Sequence, residues 1–308
     1  MASYITVDGG TTNTRLYLVC DGSVVAEEKL SVGARNGAEA LKSAVKDGIS
    51  RLLDGCGITE NQVTAILASG MITSEYGLCN LPHITLPAGR RELREAMERV
   101  EFPEISALPW YFIRGVKSVG ETLEETDVMR GEETELMGIL DGDAASGALY
   151  VLPGSHSKHV SVDGEGRIVG FCTMLSGELF AAVMQNTILR DAADFEHNTV
   201  IEEKLYRGYE YCRDRGINEA LFKTRILKNL FAASKEECYS YLLGCVLCHE
   251  VGAIIGRPEE AVIIGGQKQF RLALSSLLRR YGEKRVVTLS DEAVARSTAL
   301  GAVKIFEA

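Results

Sequence analysis

Two short stretches of the sequence combine glycine with hydroxyl, amide and basic side chains, which are the residue types that bind phosphate. The first stretch runs from Asp8 to Arg15 (DGGTTNTR) and follows an apolar run, Tyr4 to Val7. Glycine lets backbone N–H groups approach an anion closely, and the Thr and Asn side chains add donors at a tight turn. The sequence therefore predicts a phosphate-binding hairpin whose contacts come from Gly9, Gly10, Thr11, Thr12, Asn13 and Arg15.

Asp8 stands where the first predicted strand ends and this hairpin begins. A single carboxylate at that place suits Mg²⁺, which keeps several waters and needs only one or two protein carboxylates. Arg15, on the far side of the turn, could balance the charge of the metal site or contact phosphate. The alternative is an ordinary hairpin in which Asp8 only forms the turn.

The second stretch, Pro153 to His159 (PGSHSKH), also follows an apolar run. Its hydroxyls, lysine and histidines can donate hydrogen bonds to phosphate oxygens. His156 could instead act as a base, although a phosphate donor or turn stabiliser is the simpler interpretation. Neither stretch matches the P-loop pattern GxxxxGK[ST], so the sequence predicts a nucleotide site built from two hairpins. The residues assigned to the second hairpin are Gly154, Ser155, His156 and Lys158.

Three turn glycines recur at a constant separation of 144 residues in the two halves of the chain. The pairs are Gly10 with Gly154, Gly22 with Gly166, and Gly33 with Gly177. In both halves a predicted meander of three strands leads into a helix. Meanders resemble one another, but a register kept without a gap favours duplication. The sequence thus predicts two related lobes, residues 1–125 and 126–308, whose hairpins face a shared cleft.

Strands and helices alternate along the chain, which indicates an α/β fold. In the first half, apolar runs predict strands at 4–7, 15–20, 24–30 and 63–68 and a helix over 38–53. In the second half they predict strands at 149–152, 159–162 and 167–171 and a helix over 178–189. The last third is mostly helical from 202 to 247, followed by strands at 261–264 and 285–288 and helices over 269–281 and 293–306.

Three motifs outside the hairpins could complete a site. Acidic residues gather at the start of a predicted helix, where they favour the helix dipole; Glu132 or Glu133 could instead accept a hydroxyl proton during phosphoryl transfer. Gly265-Gly266 lies between a strand and a helix and permits close approach of an adenosine, although such pairs are common. Glu178 in Ser176-Gly177-Glu178 could line a substrate loop or simply begin a helix.

Composition limits the class of protein and its partners. The chain has 308 residues, 46% hydrophobic and 25% charged, which is enough for two folded domains. A net charge of -10 disfavours nucleic acid and anionic membranes as partners. The start of the chain has no signal-peptide pattern, and no apolar run reaches the length of a membrane span, so a cytoplasmic protein is expected. A homodimer is compatible with the sequence.

Eight cysteines occur, and most stand singly in apolar or helical surroundings that indicate reduced, buried thiols. Cys245 and Cys248 are the one close pair, with His249 beside them. A zinc site needs a second ligand pair, which the sequence lacks, so structural thiols are the favoured interpretation and metal or redox chemistry the alternative.

Taken together, the motifs resemble a known family of kinases. DGGTTNTRL, the second hairpin and IIGG resemble the actin/hexokinase/acetate-kinase superfamily of ATP-dependent phosphotransferases. Within it, VMRGEETEL (Val128 to Leu136), LPGSHSKHV (Leu152 to Val160) and MLSGEL (Met174 to Leu179) resemble the 2-dehydro-3-deoxygalactonokinases. The resemblance is specific in those three segments and weak in the helical last third.

The resemblance implies two ribonuclease-H-like lobes around a central cleft. It also implies Mg²⁺-dependent transfer of the ATP γ-phosphate to the 6-hydroxyl of 2-dehydro-3-deoxy-D-galactonate, in galactonate catabolism. In similar kinases an acidic residue at a helix start deprotonates the sugar hydroxyl, and Glu132 and Glu133 occupy that place. A carboxylate substrate should be met by Arg35 or Arg130, with Arg90-Arg91 as a weaker choice, because the planar guanidinium binds carboxylates through two hydrogen bonds.

Three other functions fit parts of the pattern. One is a kinase for another sugar or sugar acid. Another is an ATPase switch that drives a partner, with an iron–sulfur cluster at Cys245 and Cys248. The third is a sugar sensor without turnover, which the presence of both hairpins and both acidic residues disfavours.

Overall fold

A six-stranded mixed sheet contains the four strands predicted from apolar runs of the first half and two short strands, at 98–100 and 110–112, that were not predicted. Its first three strands, β1 (Ser3–Gly9), β2 (Thr14–Cys20) and β3 (Ser23–Leu30), form an antiparallel meander. On the other side of β1 lie β4 (Ala65–Gly70), β7 (Trp110–Phe112) and β6 (Glu98–Val100), giving the order β3-β2-β1-β4-β7-β6. Every residue of β4 is buried, as expected of a parallel strand covered on both faces.

A five-stranded sheet repeats the same order in the second half. Its meander consists of β10 (Ala148–Leu152), β11 (Ser157–Val162) and β12 (Ile168–Met174). The parallel strands β13 (Ala261–Ile264) and β14 (Arg285–Thr288) lie on the other side of β10, so the order is β12-β11-β10-β13-β14. The predicted repeat of meander, helix and parallel strands is thus present, and Gly22 and Gly166 take similar positive φ angles, 72° and 76°, in equivalent hairpins.

Nine α-helices connect and cover these sheets within residues 2–140 and 147–308, the part of the chain that the computed structural model describes. They are α1 (Ala38–Cys56), α2 (Arg90–Glu95), α3 (Glu132–Ile139), α4 (Ser176–Asn186), α5 (Glu202–Arg215), α6 (Ile217–Phe231), α7 (Lys235–Ile255), α8 (Lys268–Tyr281) and α9 (Asp291–Phe306). α1 illustrates the sequence logic, since Leu41, Val45, Ile49 and Leu52 recur at helical spacing and are buried. It ends at Gly57, which takes a left-handed conformation.

Chain contacts group these elements into two compact units that are not continuous in sequence. Unit 1 comprises the described residues of Met1–Ser146 together with Val162–Phe171 and Glu292–Ala308, and unit 2 comprises Gly147–Ser161 and Cys172–Asp291. This division differs from the predicted boundary at 125/126. α3 lies in unit 1 because it packs on α9: a Cβ added at Gly138 would lie 1.8 Å from the Ser297 carbonyl oxygen.

A small three-stranded sheet in unit 1 was not predicted. It contains β5 (Ile84–Thr85), β8 (Val116–Ser118) and β9 (Asp127–Met129), in the order β5-β8-β9. Strands of two or three residues have too few positions to show alternation in the sequence. The sheet matters for the site because β9 leads directly into α3.

Among the described helices, α7 alone is long and apolar enough, by length and composition, to cross a membrane. Most of it is packed inside unit 2: 78% of its most apolar stretch is buried. Its neighbours are α5, α6 and α8, and its residues Leu242, Leu243, Val246 and Leu247 belong to the main hydrophobic core of that unit. The helix therefore has the surroundings of a core helix.

Candidate active site

The first glycine turn is closed by its own backbone and presents polar side chains to solvent. The N–H of Gly10 donates to the carbonyl oxygen of Asn13 at 2.9 Å, and Asn13 Nδ2 donates to Thr12 Oγ1 at 2.9 Å. Thr11, Thr12 and Asn13 are exposed. Such a turn leaves hydroxyl and amide groups available to an anion.

The third glycine pair, Gly33 and Gly177, explains how both turns are held from behind. A Cβ added at Gly33 would lie 2.6 Å from the backbone of Thr11, and one added at Gly177 would lie 2.0 Å from the Gly154 carbonyl oxygen. Hydrogen bonds follow at both places, from Arg35 N–H to the Thr11 carbonyl and from Glu178 N–H to the Ser155 carbonyl, each at 3.0 Å. The predicted pairing is thus matched by the same support in each turn.

Asp8 lies opposite Arg15 in the β1–β2 ladder, and the carboxylate and guanidinium are 3.5 Å apart. The Asp8 side chain is 23% exposed. Burial raises the pKa of Asp8; the charge of Arg15 opposes this effect, and the charge of Glu132 adds to it. A carboxylate whose pKa is raised by a neighbouring carboxylate provides a place where a cation would be stabilised.

Glu132 and Glu133 are adjacent in sequence but have different surroundings. Glu133 is fully buried, and both of its carboxylate oxygens accept the N–H of Gly131, at 3.0 and 2.8 Å. Burial, together with the charge of Glu132, raises the pKa of Glu133 to about 8. Glu132 is only partly buried, and it accepts the N–H of Arg130 at 3.1 Å. The two residues therefore differ in access to solvent, and the raised pKa of Glu133 keeps that buried carboxyl largely protonated at neutral pH.

A glycine that the sequence analysis passed over connects this corner to β1. Gly70 ends β4 with a φ of 81°, and its added Cβ would lie 2.5 Å from the Gly9 carbonyl oxygen. Gly266 lies two residues after β13 with a φ of 65°, and a Cβ added to it would lie 2.2 Å from the Pro153 carbonyl oxygen. Both positions need glycine for conformation and for space. The repeat between the two halves is the signal that could have indicated Gly70. Gly9 and Pro153 lie 144 residues apart, and Gly266, which packs on Pro153, lies near the end of a strand just as Gly70 does.

In the second turn, two residues with different predicted roles bind one another. His156 Nε2 lies 2.7 Å from Glu178 Oε2, and the two side chains are 50% and 59% exposed. Lys158 is buried, and its Nζ donates to the carbonyl oxygen of His156 at 3.2 Å. No contact tests the phosphate role of His156 and Lys158 or the substrate role of Glu178, and these roles stay predictions.

Gly265 and Gly266 are fixed against the start of this second turn. The N–H of Gly265 donates to the Val151 carbonyl at 2.9 Å, and the N–H of Gln267 donates to the Pro153 carbonyl at 2.6 Å. Close by, a cavity of about 930 Å³ opens along the outer face of α8. Its lining includes Val200, Tyr206, Lys268, Gln269, Leu272 and Arg280. A pocket that combines apolar, aromatic and polar side chains suits an adenosine.

The three arginine predictions have different outcomes in the structure. Arg35 is exposed beside the first turn. Arg130 instead donates to the carbonyl oxygens of Thr73 at 2.7 Å and Leu81 at 3.0 Å. Arg90 donates to the carbonyl oxygens of Met137 and Leu140 at the end of α3, as basic residues near helix C-termini often do. Arg130 and Arg90 therefore hold loops and a helix end of unit 1.

The cysteine pair on α7 lies in the core of unit 2. Cys245 and Cys248 are buried, and Cys245 Sγ donates to the Gly208 carbonyl at 3.4 Å. Within the described residues, no group of three or more His, Cys, Asp or Glu side chains is arranged to hold a metal. Burial raises the pKa of the Cys245 thiol, which makes it a poor nucleophile.

The sheet order, the paired turns and the acidic helix start define an α/β protein with the actin/hexokinase-like ATPase fold. A crystal structure designated a 2-dehydro-3-deoxygalactonokinase, from Sinorhizobium meliloti, superimposes with a TM-score of 0.76 at 26% identity, covering 99% of this chain and 100% of that one. The activator of 2-hydroxyisocaproyl-CoA dehydratase from Clostridium difficile shares the fold with a TM-score of 0.56 at 13% identity, covering 99% of this chain and 94% of that one. The predicted fold class is confirmed.

The model of the 2-keto-3-deoxy-galactonokinase family matches residues 8–300, and the chain belongs to this family. The protein named "Probable 2-dehydro-3-deoxygalactonokinase DgoK1" of Rhizobium meliloti (strain 1021) is 33% identical over 193 residues, 61% of this chain and 58% of that relative's length. The 2-dehydro-3-deoxygalactonokinase of Escherichia coli (strain K12) is 25% identical over 263 residues, 82% of this chain and 80% of the relative. The predicted family resemblance is confirmed.

Proposed function

We propose that this chain transfers the γ-phosphate of ATP to the 6-hydroxyl of 2-dehydro-3-deoxy-D-galactonate, as a step of galactonate catabolism. The observation that carries the proposal is a family match from residue 8 to residue 300, which includes both glycine turns and the acidic helix start. In this reaction the sugar oxygen attacks the γ-phosphorus, the bond to the β–γ bridging oxygen breaks, and ADP leaves.

Glu132 is the residue we assign as the general base. A base must be ionised and reachable, and Glu132 is the partly exposed member of the acidic pair, while Glu133 is buried with its pKa raised to about 8. Glu132 would take the proton of the 6-hydroxyl as the new P–O bond forms. Glu133 instead accepts the N–H of Gly131 and thereby fixes the first turn of α3.

ATP would be held by the turn residues assigned from the sequence. Gly10 to Asn13 and Gly154 to Lys158 offer backbone and side-chain donors to phosphate, and the cavity along α8 would take the adenosine. Asp8 fits a divalent cation, because its carboxylate lies near that of Glu132 and its pKa is raised. Mg²⁺ bound there would neutralise charge on the triphosphate.

The carboxylate of the substrate is assigned to Arg35. Its backbone is tied to the first turn and its side chain is exposed, whereas the guanidinium of Arg130 donates to Thr73 and Leu81. Replacing Arg35 by Met is expected to raise KM for the sugar acid by roughly 10- to 100-fold, the range for losing hydrogen bonds between charged groups. Steady-state kinetics with Arg51→Met as the control, an exposed arginine on α1, would check this. An unchanged KM in Arg35→Met would remove the assignment.

The direct test is a coupled ADP-release assay with ATP, Mg²⁺ and a panel of keto-deoxy acids, aldonates and hexoses. Turnover is expected with 2-dehydro-3-deoxy-D-galactonate, and it should stop with a chelator and return with Mg²⁺. Turnover with a different sugar acid would keep the kinase and change the substrate. ATP binding without turnover on any acceptor would favour the sensor.

The remaining partners follow from the surface. A net charge of -10 disfavours nucleic acid and anionic membranes as partners, and we place the enzyme in the cytoplasm, as expected from the sequence. We also propose a homodimer, because Phe222, Leu230 and Phe231 of α6 expose 51%, 74% and 73% of their surface. Light scattering should give twice the chain mass, and Leu230→Lys should shift it toward the monomer; a single-chain mass for the parent protein would contradict this.

A further inference from the structure

A buried carboxylate of unit 2 lies behind the second glycine turn and has no part in the reaction proposed above. Glu250, on α7, is 1% exposed. Its Oε1 accepts a hydrogen bond from Ser157 Oγ at 2.5 Å and one from His159 Nε2 at 3.1 Å. Ser157 and His159 are the first and third residues of β11, so they project from the same face of the strand, toward α7.

A carboxylate in this place is costly unless it is fully compensated. Removing an ionised carboxylate from water is unfavourable, and the apolar residues that fill the rest of α7 would pack there without that cost. The compensation is the pair of donors on Oε1 together with His159, while Oε2 is buried without a hydrogen-bond partner among the described residues. Burial alone lowers the pKa of His159, but hydrogen bonds and charge from Cys172 and Glu250 outweigh burial and raise the pKa to about 9. The result is a buried ion pair tied to a hydroxyl.

What this cluster holds is the end of the phosphate turn. The turn between β10 and β11 is supported by two backbone hydrogen bonds, from Gln267 N–H to the Pro153 carbonyl and from Glu178 N–H to the Ser155 carbonyl. These two bonds survive most substitutions. Side chains add contacts at His156, from Lys158 and Glu178, and at Ser157, from Glu250. Glu250 is the buried side-chain support, and it acts where the turn becomes strand.

We propose that Glu250 is a positioning residue for nucleotide binding: through Ser157 and His159 it sets the conformation of the turn from Pro153 to His156. The inference rests on the proposed function, because the proposed function assigns the ATP phosphates to that turn. A carboxylate is suited to the task because one oxygen accepts from residues 157 and 159 together, which fixes the register of the strand start.

The test compares Ser157→Ala, Ser157→Thr and Glu250→Gln with the parent enzyme. Ser157→Ala removes one hydroxyl and is expected to raise KM for ATP by roughly 10-fold, with KM for the sugar acid within about twofold, because one hydrogen bond to a charged group is lost. Ser157→Thr keeps the hydroxyl and should restore the parent KM. Glu250→Gln should lose more ATP affinity than Ser157→Ala. Calorimetric titration with a non-hydrolysable ATP analogue should rank the affinities of the variants in the same order as their KM values for ATP.

The matched control is Cys238→Ala. Cys238 is buried on the same helix, and its Sγ donates to the Thr224 carbonyl of α6. Thermal unfolding compares the stability of Cys238→Ala with that of Glu250→Gln, and the KM of Cys238→Ala for ATP should stay that of the parent. If Glu250→Gln does not fold, Ser157→Ala decides. Parent-like ATP affinity in Ser157→Ala, or an equal rise in both KM values, would overturn the positioning role while leaving the kinase intact. A parent enzyme that binds no ATP would instead overturn the proposed function.

Discussion

Glu132→Gln is expected to lower kcat for phosphoryl transfer by about 10³-fold, in the middle of the range for losing a general base. The amide keeps the size of the side chain and removes the proton acceptor. KM for ATP should change little, because Glu132 is assigned to the sugar hydroxyl. Rapid-quench measurement of the first turnover would separate the chemical step from product release.

This prediction is tested against the same substitution at the other member of the acidic pair, Glu133. Glu133→Gln should retain far more activity, since Glu133 is buried and hydrogen-bonded to Gly131. Glu124→Gln, in an exposed position of the same unit, should match the parent enzyme. If Glu132→Gln turns over at close to the parent rate, the base lies elsewhere, and a large loss in Glu133→Gln alone would reverse the assignment.

The largest effect on stability is expected for Glu133→Gln at alkaline pH. The pKa of Glu133 is about 8 in the folded chain against 4.5 for an ordinary Glu, so the folded state holds this proton more tightly than the unfolded state. The contribution of Glu133 to the free energy of unfolding therefore falls as pH rises from about 4.5 to about 8. Gln stays neutral throughout, and at pH 9 the variant should be the more stable protein by roughly 3 to 5 kcal/mol, from 1.36 kcal/mol per pKa unit.

Urea unfolding of parent and variant at pH 5, 7 and 9 checks this expectation. The two proteins should be close in stability at pH 5 and diverge as the pH increases. Glu124→Gln should follow the parent at each pH, because its carboxylate is exposed. Parallel pH profiles for the parent and Glu133→Gln would show that Glu133 ionises normally in the folded chain.

Local sequence patterns were enough to predict the strands and turns that occur in both halves of the chain. β13 and β14 begin and end where the apolar runs do, and the turns at Gly22 and Gly166 need the positive φ that glycine supplies. The short strands β5, β6, β7, β8 and β9 escaped prediction because their pairing, and not their own two or three residues, defines them. The discontinuous units escaped for a similar reason, since no local signal states that α9 packs on α3.

In the candidate site, too, local patterns indicated some features, whereas those that depend on tertiary contacts could not be predicted. Residue type and spacing indicated Asp8, the glycine turns and the acidic helix start. They left Glu132 and Glu133 equivalent, because the difference between them is burial, which depends on Gly70 and the rest of unit 1. Arg130 had the right residue type for a substrate carboxylate, but the sequence does not reveal that the Thr73 and Leu81 carbonyls surround it. Glu250 gave no signal because a lone Glu in an apolar helix has no motif.

The packing of α3 on α9 has a consequence for the order of folding. Gly138 lies against the backbone of Ser297, and Lys304 Nζ donates to the Gly138 carbonyl at 2.9 Å. These contacts join residues separated by more than half of the chain, so closing them is a late and entropically costly event. A ribosome-bound chain that has already made both glycine turns would still lack a firmly seated Glu132. With Glu132 as the proposed base, we expect phosphoryl transfer only from chains in which α9 has folded onto α3.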